Sequence, residues 1–141
     1  MENKSIEDNI IRININEQCE KQHRNMLRKG FDSKDFARDL MLIVSELSEA
    51  LEADRKGKDA NKLPDCTAKS LLYRLGDSDL DEGVWKRFFE SYVKDTIQDE
   101  IADALLRIMD LCGRYRIDID THVAIKSYYN SLRKQKHGKK Y

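Results

Sequence analysis

Two pairs of acids set three residues apart, Glu46 with Glu49 and Glu100 with Asp103, limit what this chain can fold into. Each pair sits in a segment whose apolar residues recur at helical spacing, and acids at i and i+3 share one helix face. Leu40, Ile43, Val44, Leu47 and Leu51 form one apolar stripe. Ile97, Ile101, Ala104, Leu105, Ile108 and Cys112 form another, with Glu100, Asp103, Arg107 and Asp110 on the opposite side. The stripes are expected to mark the core, and the acid side to be half-buried. If the two helices pack antiparallel, Glu46 and Glu49 face Glu100 and Asp103. Four carboxylates in one place repel each other unless a cation sits among them. A hard divalent ion that takes oxygen ligands is the expected occupant, Mg²⁺ first and Mn²⁺ as a substitute.

The rest of the composition agrees with an all-α helical bundle forming a single domain over residues 1–141. One proline and six glycines leave long stretches unbroken. Charged residues make up 37% of the chain and balance at 26 basic and 26 acidic, which argues against a nucleic-acid polymer or a membrane as partner. No apolar run reaches the length of a membrane span, and residues 1–9 lack the apolar region of a signal peptide. Cys19, Cys66 and Cys112 contain no CxxC pair and leave one thiol over in any pairing scheme, which suits a reducing cytoplasm.

Along the chain, Ile11, Ile13 and Ile15 alternate with polar residues and predict a short strand or an extended N-terminal arm. Asn16 is the expected cap of a first helix that runs to about Lys29 and stops at Gly30. Ser33 or Asp35 opens the second helix, which ends near Gly57. Residues 57 to about 81 read as loop, with a short helix over 70–75. A further helix follows Asp81 and carries Trp85, Phe88 and Phe89, expected in the core. Lys94-Asp95-Thr96 is a break or a polar turn before the helix of the second acid pair, and Gly113 with Arg114-Tyr115-Arg116 marks the end of that helix. Asp118 caps the last helix.

That last helix places Lys126, Tyr129, Asn130 and Arg133 on one face. Cations flanking an amide suit phosphate oxygens; the plainer reading is a solvated helix end favoured by the dipole. Glu20 and His23 form one Glu-x-x-His, but a di-iron bundle needs two. No P-loop, dinucleotide fingerprint, nucleophile elbow or paired Cys/His zinc pattern is present.

These motifs together resemble the MazG-like nucleotide pyrophosphohydrolases of the all-α NTP pyrophosphatase superfamily, whose signature is ExxE followed by ExxD. The likeness rests on residues 45–53, on Lys29-Gly30-Phe31, and on residues 94–103 with Arg107 and Asp110. It extends to Ile117-Asp118, the Lys126-x-x-Tyr129-Asn130-x-x-Arg133 run and the ending 137–141. It covers most of the chain outside an insertion at about 57–90. The resemblance implies Mg²⁺-dependent hydrolysis of a nucleoside triphosphate to the monophosphate and pyrophosphate, in a homodimer or homotetramer. It implies Glu46, Glu49, Glu100 and Asp103 as metal ligands, and Lys126, Tyr129, Asn130, Arg133 and Arg107 as substrate contacts. With no covalent nucleophile in evidence, direct attack by a water that Glu49 orients is expected. Two alternatives stay open: a non-catalytic helical nucleotide-binding or interaction protein, and a phosphoribosyl-ATP pyrophosphohydrolase-like enzyme.

Overall fold

The computed structural model describes residues 10–32, 34–60 and 81–133. Among these residues there are five helices and no strand, an all-α architecture: α1 (Asn16–Arg28), α2 (Phe36–Arg55), α3 (Glu82–Tyr92), α4 (Ile97–Tyr115) and α5 (Ile119–Ser131). The loop and short helix expected at 61–80, Cys66 and the chain ending at 134–141 lie outside the described residues. No described helix is long and apolar enough to cross a membrane. The chain divides into two compact units, one of Met1–Lys34 with Met109–Tyr141 and one of Asp35–Ile108, so α4 contributes to both.

Local chemistry accounts for the helix boundaries. Asp35 caps α2 by accepting from Arg38 N, Asp81 caps α3 by accepting from Gly83 and Val84 N, and Asp118 caps α5 by accepting from Thr121 N. Gly30 and Gly57 follow α1 and α2 at φ of 85° and 67°, the left-handed conformation that ends a helix. The Lys94–Thr96 segment is a true break: Asp95 takes φ of 58°, and the Thr96 hydroxyl accepts from Asp99 N as α4 begins.

One expectation needs correction and two are narrowed. Of the strand or extended arm expected at 11–15, the structure has the arm: residues 10–15 form no strand and lie along α5, with Ile11 N donating to Ser127 Oγ and Ile15 N to Asp120 Oδ1. Backbone donors that lack a neighbouring strand are satisfied by side chains instead. Asn16 is the first helical residue of α1 rather than its cap, because its side chain is engaged with the start of α5: Oδ1 accepts from Ile119 N and Nδ2 donates to Asp118. α4 ends at Tyr115, within the stretch from Gly113 to Arg116 expected to close it, and Gly113 itself is still helical. It is where α1 crosses closely, and a Cβ there would overlap the Cys19 carbonyl and lie 2.8 Å from His23 Cβ.

In the first unit, Cys19, Cys112 and Leu111 are buried together with a polar network. His23 Nδ1 donates to Asp110 Oδ1 at 2.8 Å, and Arg114 donates to Asp110 Oδ2 at 2.9 Å and to the Phe31 carbonyl at 3.1 Å. In the second unit, α2 and α4 run antiparallel, since residue 46 meets 107 and residue 58 meets 97. The residues on their buried sides are Glu46, Ala50 and Ala53 facing Glu100 and Ala104. Alanines at such a seam let helix axes approach closely.

Of the apolar stripes expected to form the core, Ala104 and Cys112 are buried, but most of the larger side chains are not. Leu40, Val44, Leu47 and Leu51 are 42–51% exposed, and Ile101, Leu105 and Ile108 are also exposed. The acid-and-alanine side of each helix faces inward instead. Trp85, Phe88 and Phe89 are half-buried rather than core. Trp85 and Phe88 stack at 6.2 Å between ring centroids.

Candidate metal centre

Glu46 and Glu49 stand one helical turn apart on α2, and Glu100 stands in the first turn of α4. One carboxylate oxygen from each lies within 4.8 Å of the others. Octahedral Mg²⁺ with ligands at 2.0–2.1 Å spans at most about 4.2 Å between opposite oxygens, so closure onto an ion needs only small side-chain movements.

The three acids are held differently. Glu46 is buried and accepts from Arg107 Nε at 2.5 Å. Glu49 is exposed, with the Ser45 hydroxyl 3.4 Å away. Glu100 is 7% exposed, and among the described residues its carboxylate has no hydrogen-bond or ion-pair partner. Its surroundings push its carboxyl above the ordinary glutamate value, through burial first and then the charges of Glu49, Asp99, Glu46 and Asp103. A buried carboxylate facing like charges is costly unless a cation joins it. The donor set, all carboxylate oxygens, suits Mg²⁺ or Mn²⁺.

Asp103, the fourth expected ligand, is not within reach of that group. The residue is exposed overall, yet its carboxyl is crowded. Desolvation, then Asp99 and Glu46, raise it above its ordinary value, while Arg107 acts the other way. Arg107, expected at substrate, stands at the acids instead through Glu46.

The acids border a cavity of 230 Å³ whose lining includes Glu49, Glu52, Asp95 and Glu100 with Lys56 and Lys58. Lys56 pairs with Glu52 at 3.1 Å. Lys58 and Asp95 were not singled out in the sequence. The legible signal for Asp95 was its four-residue spacing to Asp99 across a helix start; nothing marked Lys58, which lies in a loop.

The expected phosphate face belongs to the other unit. Lys126 and Asn130 line a pocket of 480 Å³ with His122, Ser127 and Ile11. Lys126 Nζ lies over the Tyr129 ring at 5.1 Å, while Tyr129 and Arg133 are exposed and do not line that pocket. Asp110, on the same sequence stripe as Glu100, is committed to His23 and Arg114.

The chain matches no family model, no curated protein and no solved structure. The functional reading therefore stands on the site itself.

Proposed function

We propose that this protein is a MazG-like hydrolase of nucleoside triphosphates, dependent on Mg²⁺, that releases a nucleoside monophosphate and pyrophosphate in the cytoplasm. The observation that carries the reading is Glu100, a buried carboxylate without a partner among the described residues, grouped with Glu46 and Glu49 on antiparallel helices. Glu46, Glu49 and Glu100 would hold the ion, and Asp103 would join them on a rotamer change. The ion supplies positive charge against the triphosphate. Arg107 keeps Glu46 aimed at the site. Glu49, the exposed member of the group, would orient and deprotonate the attacking water. Lys58 at the cavity would meet a phosphate oxygen; the Lys126, Asn130 and Arg133 face of the first unit is proposed, by itself, as a phosphate-binding face.

The exposed stripes support a homodimer. Leu40, Val44, Leu47 and Leu51 follow the alternating four- and three-residue spacing of a helix-packing seam, and so do Ile101, Leu105 and Ile108. Two such stripes on one antiparallel pair are self-complementary across a twofold axis, so a second copy of the chain completes a four-helix arrangement. Light scattering at micromolar concentration should give twice the chain mass; a monomer there refutes the assembly.

The deciding experiment is a panel of ribo- and deoxyribonucleoside triphosphates and phosphoribosyl-ATP, with pyrophosphate detection, in Mg²⁺ and in chelator. Mg²⁺-dependent pyrophosphate release that Glu49→Gln abolishes supports the proposal. Turnover of phosphoribosyl-ATP alone favours the related pyrophosphohydrolase. Nucleotide binding without any product favours a non-catalytic protein.

A further inference from the structure

Away from the acids, in the first unit, two thiols meet. Cys19 of α1 and Cys112 of α4 are 2% and 4% exposed, and both are free thiols. Their side chains are hydrogen-bonded to each other, beside the crossing where Gly113 brings α4 against the Cys19 carbonyl. Both also line a cavity of 440 Å³, whose wall includes His23, Arg24, Gly113 and Arg116.

We propose that Cys19 and Cys112 are a redox-active pair, which a small-molecule disulfide entering this cavity oxidises to a reversible disulfide that ties α1 to α4. A buried cysteine is ordinarily a small apolar side chain and nothing more. That explanation covers either thiol alone. It does not account for two thiols from different helices that face each other at the border of a cavity. A disulfide needs Cα atoms within about 7 Å of each other. Helices packed through ordinary side chains keep their axes about 8–10 Å apart. Gly113 has no side chain to hold the two helices off, so the thiols can join without moving either backbone. The cavity matters as well. A sealed core would exclude the half of the oxidant that stays on the protein between the two steps; here that half has room. In a reducing compartment the pair rests as thiols, and a disulfide there forms transiently, in response to oxidation.

The exchange balances as follows. The Cys19 thiolate attacks one sulfur of the incoming disulfide, whose own S–S bond breaks, and the first thiolate leaves and takes a proton from solvent. Cys112 then gives up its proton and attacks Cys19 Sγ, and the second thiolate leaves. The protein loses two electrons and two protons, and the oxidant becomes two thiols. The hydrogen bond between the two favours a thiolate at Cys19 and disfavours one at Cys112, which sets that order. Burial, joined at Cys19 by the charge of Asp120, raises both thiols above their ordinary value of 9.0. Little thiolate is present at neutral pH, so exchange should take minutes to hours.

The test holds the full chain in glutathione buffers, from fully reduced to fully oxidised, without denaturant. Peptide mapping under non-reducing conditions should find Cys19 joined to Cys112 in the oxidised buffer. The oxidised protein should melt about 5–10 °C above the reduced one, and dithiothreitol should reverse both changes. Cys112→Ser should stop with one glutathione on Cys19 and show no such rise, while Cys66→Ser should behave as the parent does. If Cys112→Ser does not fold, the mapping and the melts of the parent decide alone. Thiols that stay free at every buffer ratio and are alkylated only after unfolding overturn the proposal and make the pair plain core. A bond from either thiol to Cys66, or a bond between Cys19 and Cys112 that leaves the melting temperature unchanged, overturns it too.

Discussion

Helix α4 carries buried acids in both units, and their company differs. Asp110, 9% exposed, sits between His23 and Arg114, and Arg114 also reaches the Phe31 carbonyl. Glu100, 7% exposed, faces Glu46, Glu49, Asp99 and Asp103, with no hydrogen-bond or ion-pair partner among the described residues. Both acids are about equally hidden from solvent. One is a paired network, in which opposite charges offset much of the cost of burial within the fold. The other is unfinished and gains from a cation that the chain does not supply. Burial of a charged residue is therefore ambiguous by itself; its neighbours decide whether it holds structure or awaits a ligand.

The largest effect expected from this contrast is in the paired network. Asp110→Ala should destabilise the protein by about 3–5 kcal/mol, because it strips a buried guanidinium and an imidazole of their shared acceptor. Urea unfolding would measure it, and a loss below 1 kcal/mol would make Asp110 no more structural than Glu100.

Next comes the unfinished site. Mg²⁺ at a hundred times its dissociation constant should stabilise the parent by about 2.7 kcal/mol. The same Mg²⁺ should barely move the melting temperature of Glu100→Gln. Equal shifts in both proteins would detach Glu100 from the metal.

The close crossing of α1 and α4 sharpens the structural side of the comparison. Gly113→Ala adds one methyl group against the Cys19 carbonyl and His23 and should cost about 1–3 kcal/mol, with no change in Mg²⁺ affinity. Weaker Mg²⁺ binding in that variant would mean that the crossing also shapes the metal centre.

The smallest effect has the opposite sign. In chelator, Glu100→Gln should stabilise the protein by about 0.5–1 kcal/mol at pH 8, the scale of relieving one unfavourable charge. Glu100 and Asp103 hold their protons more tightly when folded than their ordinary values of 4.5 and 3.8 allow. Their contribution to stability is complete below those values and is lost as pH rises through the raised folded values. Metal-free parent protein should therefore lose stability on that side of its profile, and Glu100→Gln should lose less. Thermal melts from pH 4 to 8 with chelator would show it; parallel profiles would remove like-charge crowding as a property of Glu100.

Much of the local structure was legible in the sequence because its causes are local. Asp35, Asp81 and Asp118 cap helices through hydrogen bonds to residues two or three positions on. Gly30 and Gly57 end helices because a left-handed backbone favours glycine. The acid pairs share helix faces because 3.6 residues make a turn. Asn16 misled for the matching reason: it answers to Asp118, about a hundred positions away, and the close approach of Gly113 to Cys19 is set over a similar separation. The sequence by itself determined which side chains travel together on each helix. Only the tertiary structure decided which face turns inward. Helical periodicity assigned Leu40, Val44, Leu47 and Leu51 to one stripe, and hydrophobicity predicted that stripe as core. The antiparallel seam of α2 and α4 instead closes on Glu46, Ala50, Ala53 and Glu100, with Ala104 from the expected stripe, because small side chains let the two backbones approach while Glu100 lines a cavity. Periodicity is a property of one helix, whereas burial is a property of at least two.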